Sequence, residues 1–147
     1  MGPFQQIHWV TDKIAVSGRQ PKTAMSEMQR MGITSVLNLT TKPDPNWPFQ
    51  TLDDGTPDDG QHKTSAWFGK GIAFVLRAQH TGKVLVHCEA GVNRSPSMVY
   101  AILRAQGMSP TEATHRVLTS VPRARLRYAA DAEQALHELG LVNHDGN

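Results

Sequence analysis

The chain has 147 residues, 39% of them apolar and 19% charged, with a formal net charge of +2. That length suits a single domain spanning residues 1–147, with a core large enough to need no covalent staples, and the composition is that of a soluble globular chain. The only cysteine, Cys88, leaves no partner for an internal disulfide. There is no secretory signal pattern and no apolar run of membrane-spanning length, so the expectation is a reducing, cytoplasmic setting without membrane insertion, and the small charge argues against nucleic acid.

In chain order, residues 6–10 and 13–17 are short apolar runs around Thr11 and Asp12, the pattern of a hairpin. Thr23 is placed to cap a short helix carrying Ala24, Met25, Met28 and Met31, closed by Gly32. Residues 33–40 are rich in branched side chains and read as a buried strand. Residues 41–63 form a long polar stretch with several prolines, and its second half holds Asp53, Asp54, Asp58 and Asp59. Loops of such length are usually functional or disordered, although residues 49–52 have the makings of a short strand.

Residues 64–80 carry Trp67, Phe68, Ile72, Val75 and Leu76 at helical spacing. A strand over 84–87 follows, and then Ser95 and Pro96 are predicted as N-cap and first position of a helix whose apolar face is Met98, Val99, Ile102 and Leu103, stopped by Gly107. Ser109 and Glu112 form a capping box with Pro110 between them. Pro122 ends that helix. Arg123, Arg125 and Arg127 then form a basic run with spacing two, either a solvated turn or a contact for an acidic or phosphorylated partner. A last helix covers 128–139, and 141–147 is expected to be a tail outside a core of about 7–139.

Strand, helix and strand in alternation imply right-handed crossovers, hence an α/β fold with a central, mainly parallel sheet of about four to five strands flanked by helices. Ligands of such sheets bind beyond the C-terminal ends of the strands, where Cys88 falls. Cys88 to Arg94 lie between a strand end and a helix start, where backbone N–H groups are unpaired and the helix dipole favours an anion. The same field favours a thiolate. Gly91 lets the loop turn successive amides inward, and Arg94 offers a planar two-pronged donor that matches phosphate oxygens. A nucleophile, an anion cradle and a bidentate clamp so close in sequence point to attack on a phosphate monoester.

His87-Cys88-x-x-Gly91-x-x-Arg94-Ser95 resembles the signature of the cysteine-dependent protein tyrosine phosphatases, and the short chain and flanking sequence, over roughly residues 7–118, resemble the dual-specificity branch. The resemblance implies that Cys88 attacks phosphorus to form a cysteinyl-phosphate while Arg94 and the amides of Glu89, Ala90, Gly91, Val92 and Asn93 hold the oxygens. It implies that the Ser95 hydroxyl assists the thiolate as it leaves and that His87 organises the loop. Asn38, in the stretch Ile-Thr-Ser-Val-Leu-Asn-Leu, either braces the loop or is a strand-end polar group without a role.

A general acid is required, on a loop after a short strand about thirty residues before the cysteine. The pattern Leu52-Asp53-Asp54-Gly55 favours Asp54, another register favours Asp53, and counting back from the following helix without gaps gives Asp58. No cofactor and no metal are implied, and the histidines show no ligand spacing. The implied substrates are phosphotyrosine and phosphoserine or phosphothreonine of proteins. The alternatives are a phosphoinositide, which Glu89 would oppose, an RNA 5′-phosphate, or a phospho-binding module without turnover, for which a thiol has no use. An arsenate reductase would want resolving cysteines, and a sulfurtransferase has no need of the arginine at this spacing.

Overall fold

The computed structural model describes residues 3–142. Strands β1 (His8–Trp9), β2 (Ile14–Ser17), β3 (Ile33–Asn38), β4 (Gln50–Asp53) and β5 (Lys83–His87) form one sheet in the order β1-β2-β5-β3-β4. β1 and β2 are the expected antiparallel hairpin, and every other pairing is parallel. The helices are α1 (Met25–Arg30), α2 (Ser65–Ala78), α3 (Arg94–Ala105), α4 (Pro110–Ser120) and α5 (Ala129–Glu138).

Central β5 has Val84, Leu85 and Val86 fully buried, as a parallel strand covered on both faces requires. Its alternation divides the core. Leu85 faces a cluster with Ala15, Val36, Met28, Trp47 and Phe49, while Val84 and Val86 face Ile14, Val16, Leu37 and the apolar sides of α2 to α5. The register brings His87 level with Ser17 of β2 and Asn38 of β3. Three strands therefore end together, and the loop after His87 opens between two neighbouring strand ends.

α3 is buried over nearly its whole length, including the charged Arg104. Arg104 is satisfied by a two-pronged contact to Glu133 of α5, at 2.7 and 2.9 Å, and by the Met108 carbonyl at 2.9 Å. Tyr100 donates to the same carboxylate at 2.6 Å. A buried guanidinium is tolerated only with its donors used, so this network fixes α5 on α3.

The Ser109–Glu112 capping box is present as expected, and the helix expected over 64–80 runs over Ser65–Ala78, with the Thr64 hydroxyl accepting from Trp67 N–H as its N-cap. Three expectations are corrected. Thr23 lies inside a 3-10 turn (Lys22–Ala24), and the cap of α1 is Ala24, with no side-chain bond. Ser95 is not the N-cap of α3: the helix begins at Arg94 after Asn93, because the loop closes two residues earlier than proline placement suggests. Val142 is packed into the larger core cluster, so the chain stays engaged past Leu139, and the rest of the expected tail, 143–147, lies outside the described residues.

Candidate active site

The loop from Cys88 to Asn93 is held from outside so that its inner side stays free. Arg19 N–H donates to the Glu89 carbonyl at 2.9 Å, and Cys88 N–H to the Ser17 carbonyl at 3.4 Å, which ties the loop to the end of β2. Gly91 has φ +73°, and a Cβ there would come within 2.9 Å of the Ser17 and Gly18 backbone. Both the handedness and the close approach require glycine. The backbone N–H groups of Glu89, Ala90, Gly91, Val92 and Asn93 donate to no backbone carbonyl among the described residues, the nest geometry expected of an anion site.

Cys88 is buried at the start of this loop, and its Sγ lies 3.1 Å from Ser95 Oγ in the first turn of α3. Arg94, also buried, is anchored by Nη1 to the carbonyls of Thr56 at 2.8 Å and Leu39 at 3.4 Å. Its Nε has no partner among the described residues. A buried donor left unmatched costs about 1–3 kcal/mol, and an oxyanion in the loop is the acceptor that fits a guanidinium braced in this way.

Behind the loop stands a network with no local sequence signal. His87 meets its own neighbour, the Cys88 carbonyl, through Nδ1 at 3.1 Å, and both oxygens of Asp44 through Nε2 at 2.9 Å. Arg19 reaches Asp44 at 3.3 Å and Glu89 at 3.1 Å. It also donates to the Lys42 carbonyl and the Thr40 hydroxyl. Asp44 and Arg19 escaped sequence reasoning because one sits in a proline-rich stretch and the other in a turn, where no periodicity marks a buried partner.

Asn38 makes no side-chain hydrogen bond to the phosphate loop. Its amide donates to the Lys42 carbonyl and to Asp53 Oδ1, both at 2.8 Å, and its carbonyl accepts from Thr40. It therefore shapes the turn that presents Asp44, and in doing so engages Asp53.

The aspartates after β4 have different surroundings. Asp54 is 7% exposed, its main-chain carbonyl accepts from Trp67 Nε1 at 2.7 Å, and its Oδ2 has no partner among the described residues. Burial pushes its carboxyl up to about 6, with the charge of Lys70 on α2 opposing. Asp58 instead lies against the phosphate loop: Asn93 Nδ2 donates to it at 3.0 Å, Arg127 at 3.1 Å, and the Tyr128 hydroxyl at 2.5 Å. Burial disfavours its anion, but the bonds from Tyr128 and Asn93 and the charges of Arg94 and Arg127 outweigh this and hold it below the usual carboxylate range. Asp59 is paired with Lys63 at 2.9 Å.

Residues 17–130 match the family model described as the catalytic domain of dual specificity phosphatases. The chain belongs to the dual-specificity phosphatase family. A probable dual specificity protein phosphatase of Dictyostelium discoideum is 32% identical over 88 residues, covering 60% of this chain and 42% of that protein. The human dual specificity protein phosphatase 2 is 34% identical over 79 residues, covering 52% of this chain and 25% of that protein. The chain thus matches less than half the length of these relatives. Among solved structures, human DUSP28 superposes with a TM-score of 0.81 at 21% identity, covering 95% of this chain and 97% of that one. PTPMT1 in complex with PI(5)P gives 0.79 at 21% identity, covering 91% and 96%. At such identities these neighbours establish the fold, and the dual-specificity phosphatase domain has the five-stranded, mainly parallel architecture anticipated from the sequence. Among the described residues no helix is long and apolar enough to cross a membrane.

Proposed function

We propose that this protein hydrolyses phosphate monoesters through a cysteinyl-phosphate, acting on phosphotyrosine and phosphoserine or phosphothreonine of proteins. The observation that carries the reading is the convergence on one loop of Cys88 Sγ, the Ser95 hydroxyl at 3.1 Å and the unmatched Nε of Arg94. In the first step the thiolate of Cys88 bonds to phosphorus as the ester P–O bond breaks. The inward amides and Arg94 hold the equatorial oxygens, where the charge is spread. In the second step water attacks phosphorus, the S–P bond breaks, and Ser95 donates a hydrogen bond to the departing thiolate. A cytoplasmic, reducing setting suits a mechanism resting on one thiol.

For the general acid we assign Asp58 in preference to Asp54 and Asp53. Reach is the first criterion, and Asp58 is the carboxylate bonded to the phosphate loop, beside Arg94. A phosphate dianion in the loop sets a like charge next to Asp58 and favours its protonated form, which then protonates the leaving oxygen. The resulting carboxylate takes the proton of the attacking water. Asp53 is engaged by Asn38, and Asp54 has Trp67 and Lys70 as its neighbours.

The test is vanadate-sensitive hydrolysis of p-nitrophenyl phosphate, followed by a panel of phosphopeptides, phosphoinositides and RNA 5′-triphosphate. The Cys88→Ser variant should bind phosphate and turn nothing over. Hydrolysis retained in that variant overturns the proposal. The similarity to PTPMT1 in complex with PI(5)P is the reason for the phosphoinositide arm.

A further inference from the structure

Tyr128 stands immediately before α5, is 2% exposed, and brings its hydroxyl to the loop that carries Asp58. Its main chain is fixed to the frame of the phosphate loop. Tyr128 N–H donates to Ser97 Oγ of α3 at 3.1 Å, and three residues earlier Arg125 N–H donates to the Val92 carbonyl at 2.7 Å. A phenol has one proton to give. Gly60 N–H donates to the Tyr128 oxygen at 3.1 Å, so that proton goes to Asp58 Oδ1 at 2.5 Å. Gly60 can aim its N–H there because it sits at φ +76°, where a Cβ would also run into the Arg127 guanidinium.

The two oxygens of Asp58 are thus held differently. Oδ1 takes the Tyr128 hydroxyl and, at 3.1 Å, Arg127. Oδ2 takes Asn93 Nδ2 at 3.0 Å, at the end of the phosphate loop. The other charges around it are Arg94 of α3 and, on its own loop, Asp59 and Lys63, which pair with each other. The Lys63 ammonium also donates to the Pro57 carbonyl at 2.6 Å and lies 4.9 Å from the centre of the Tyr128 ring, so the loop is folded around that ring. Burial, and then the bond to Asp58, hold the phenol above its usual range, and it remains a donor at neutral pH.

We infer that Tyr128 is a positioning residue for the general acid: its hydroxyl grips Asp58 Oδ1 and leaves Oδ2, on the phosphate-loop side, to carry the proton. The inference rests on the phosphatase reading above, with Asp58 as the acid. The proton passes from Oδ2 to the leaving oxygen as the ester P–O bond breaks. Asp58 is left as the carboxylate, and Tyr128 keeps its own proton. A hydrogen bond to a carboxylate is roughly twice as strong as one to a neutral oxygen, so the Tyr128 contact tightens as Asp58 ionises. It therefore favours the transition state over the bound substrate. A phenylalanine would fill the same place in the core, and only the hydroxyl does this work.

The experiment compares Tyr128→Phe with the wild type on phenyl phosphate and on p-nitrophenyl phosphate, whose leaving group needs little protonation. The expected result is a fall in kcat of about tenfold on phenyl phosphate and a smaller one on p-nitrophenyl phosphate. With a donor gone, Asp58 holds its proton more tightly, so the basic limb of kcat/KM moves to higher pH. In an Asp58→Asn background, Tyr128→Phe should add no further loss. The ratio between substrates and the position of the limb do not depend on the folded fraction. Equal losses on both substrates with the limb unmoved, or full kcat on phenyl phosphate, overturn the role of Tyr128 and leave the acid in place. Full turnover of phenyl phosphate by Asp58→Asn overturns the acid and this inference together. No turnover of any phosphate ester by the wild type sinks the phosphatase reading itself.

Discussion

Asp44 and His87 face each other at 2.9 Å with both side chains sealed from solvent, and this contact links a proline-rich loop to the residue preceding the nucleophile. It is the deepest support of the phosphate loop, since Arg19 bridges the same carboxylate to Glu89. Replacing Asp44 with alanine strands a buried ring nitrogen of His87 and takes one of its partners from Arg19, which keeps Glu89 and the Lys42 carbonyl. The expected cost is about 2–4 kcal/mol in urea unfolding, with a loss of turnover larger than the lost folded fraction explains. Asp44→Asn keeps an acceptor for His87 and should fall between the alanine variant and the wild type.

The acid loop yields a contrast between two aspartates. Asp58→Asn should slow hydrolysis of an alkyl phosphate by roughly 10²–10⁴-fold, and that of p-nitrophenyl phosphate less, because its leaving group needs little protonation. Asp54→Asn should retain most of the turnover on both. The opposite pattern would move the acid to Asp54.

Asp54 carries a separate, pH-dependent prediction. Its carboxyl is raised to about 6 in the fold, above the value of about 3.9 expected when unfolded, so the folded state holds the proton more tightly. The stability that Asp54 contributes is therefore fully present below about pH 4 and is lost as pH rises through about 6. The Asp54→Asn variant, having no proton to release, should be more stable than the wild type at pH 7.5 by on the order of 1–3 kcal/mol, and should lose this advantage at low pH. Urea unfolding across that range measures the difference.

Two glycines with positive φ separate catalytic strain from plain backbone strain. Gly91→Ala puts a methyl group within 2.9 Å of the Ser17 and Gly18 backbone, so the loop must shift. Turnover should drop by about 10²-fold, a loss expected when positioning fails by an ångström. Gly107→Ala, at φ +105° with nothing within 4 Å, should cost about 1–2 kcal/mol of stability and leave turnover alone.

Much of the fold was legible because its signals are local. The branched residues of β3 and β5, the capping box at Ser109 and the glycines after α3 and α5 each act within a few neighbours. The loop from Cys88 to Ser95 was legible for the same reason, since nucleophile, glycine and arginine are close in sequence. The rest depends on contacts made at long range. Arg19 meets Glu89, Asp44 meets His87, and Asp58 meets Tyr128 only once the sheet order has been set. The order of the aspartates belongs here too: a motif match pointed to Asp54, whereas proximity to Asn93 and Arg94 is a property of the folded loop.

The central claim is a covalent phosphoenzyme on the lone thiol. Rapid acid quenching during turnover of p-nitrophenyl phosphate, followed by mass spectrometry of the peptide containing Cys88, reads it directly. The account predicts a phosphoryl group on Cys88, absent from Cys88→Ser. Turnover with no adduct on that peptide, or an adduct on any other residue, would contradict it.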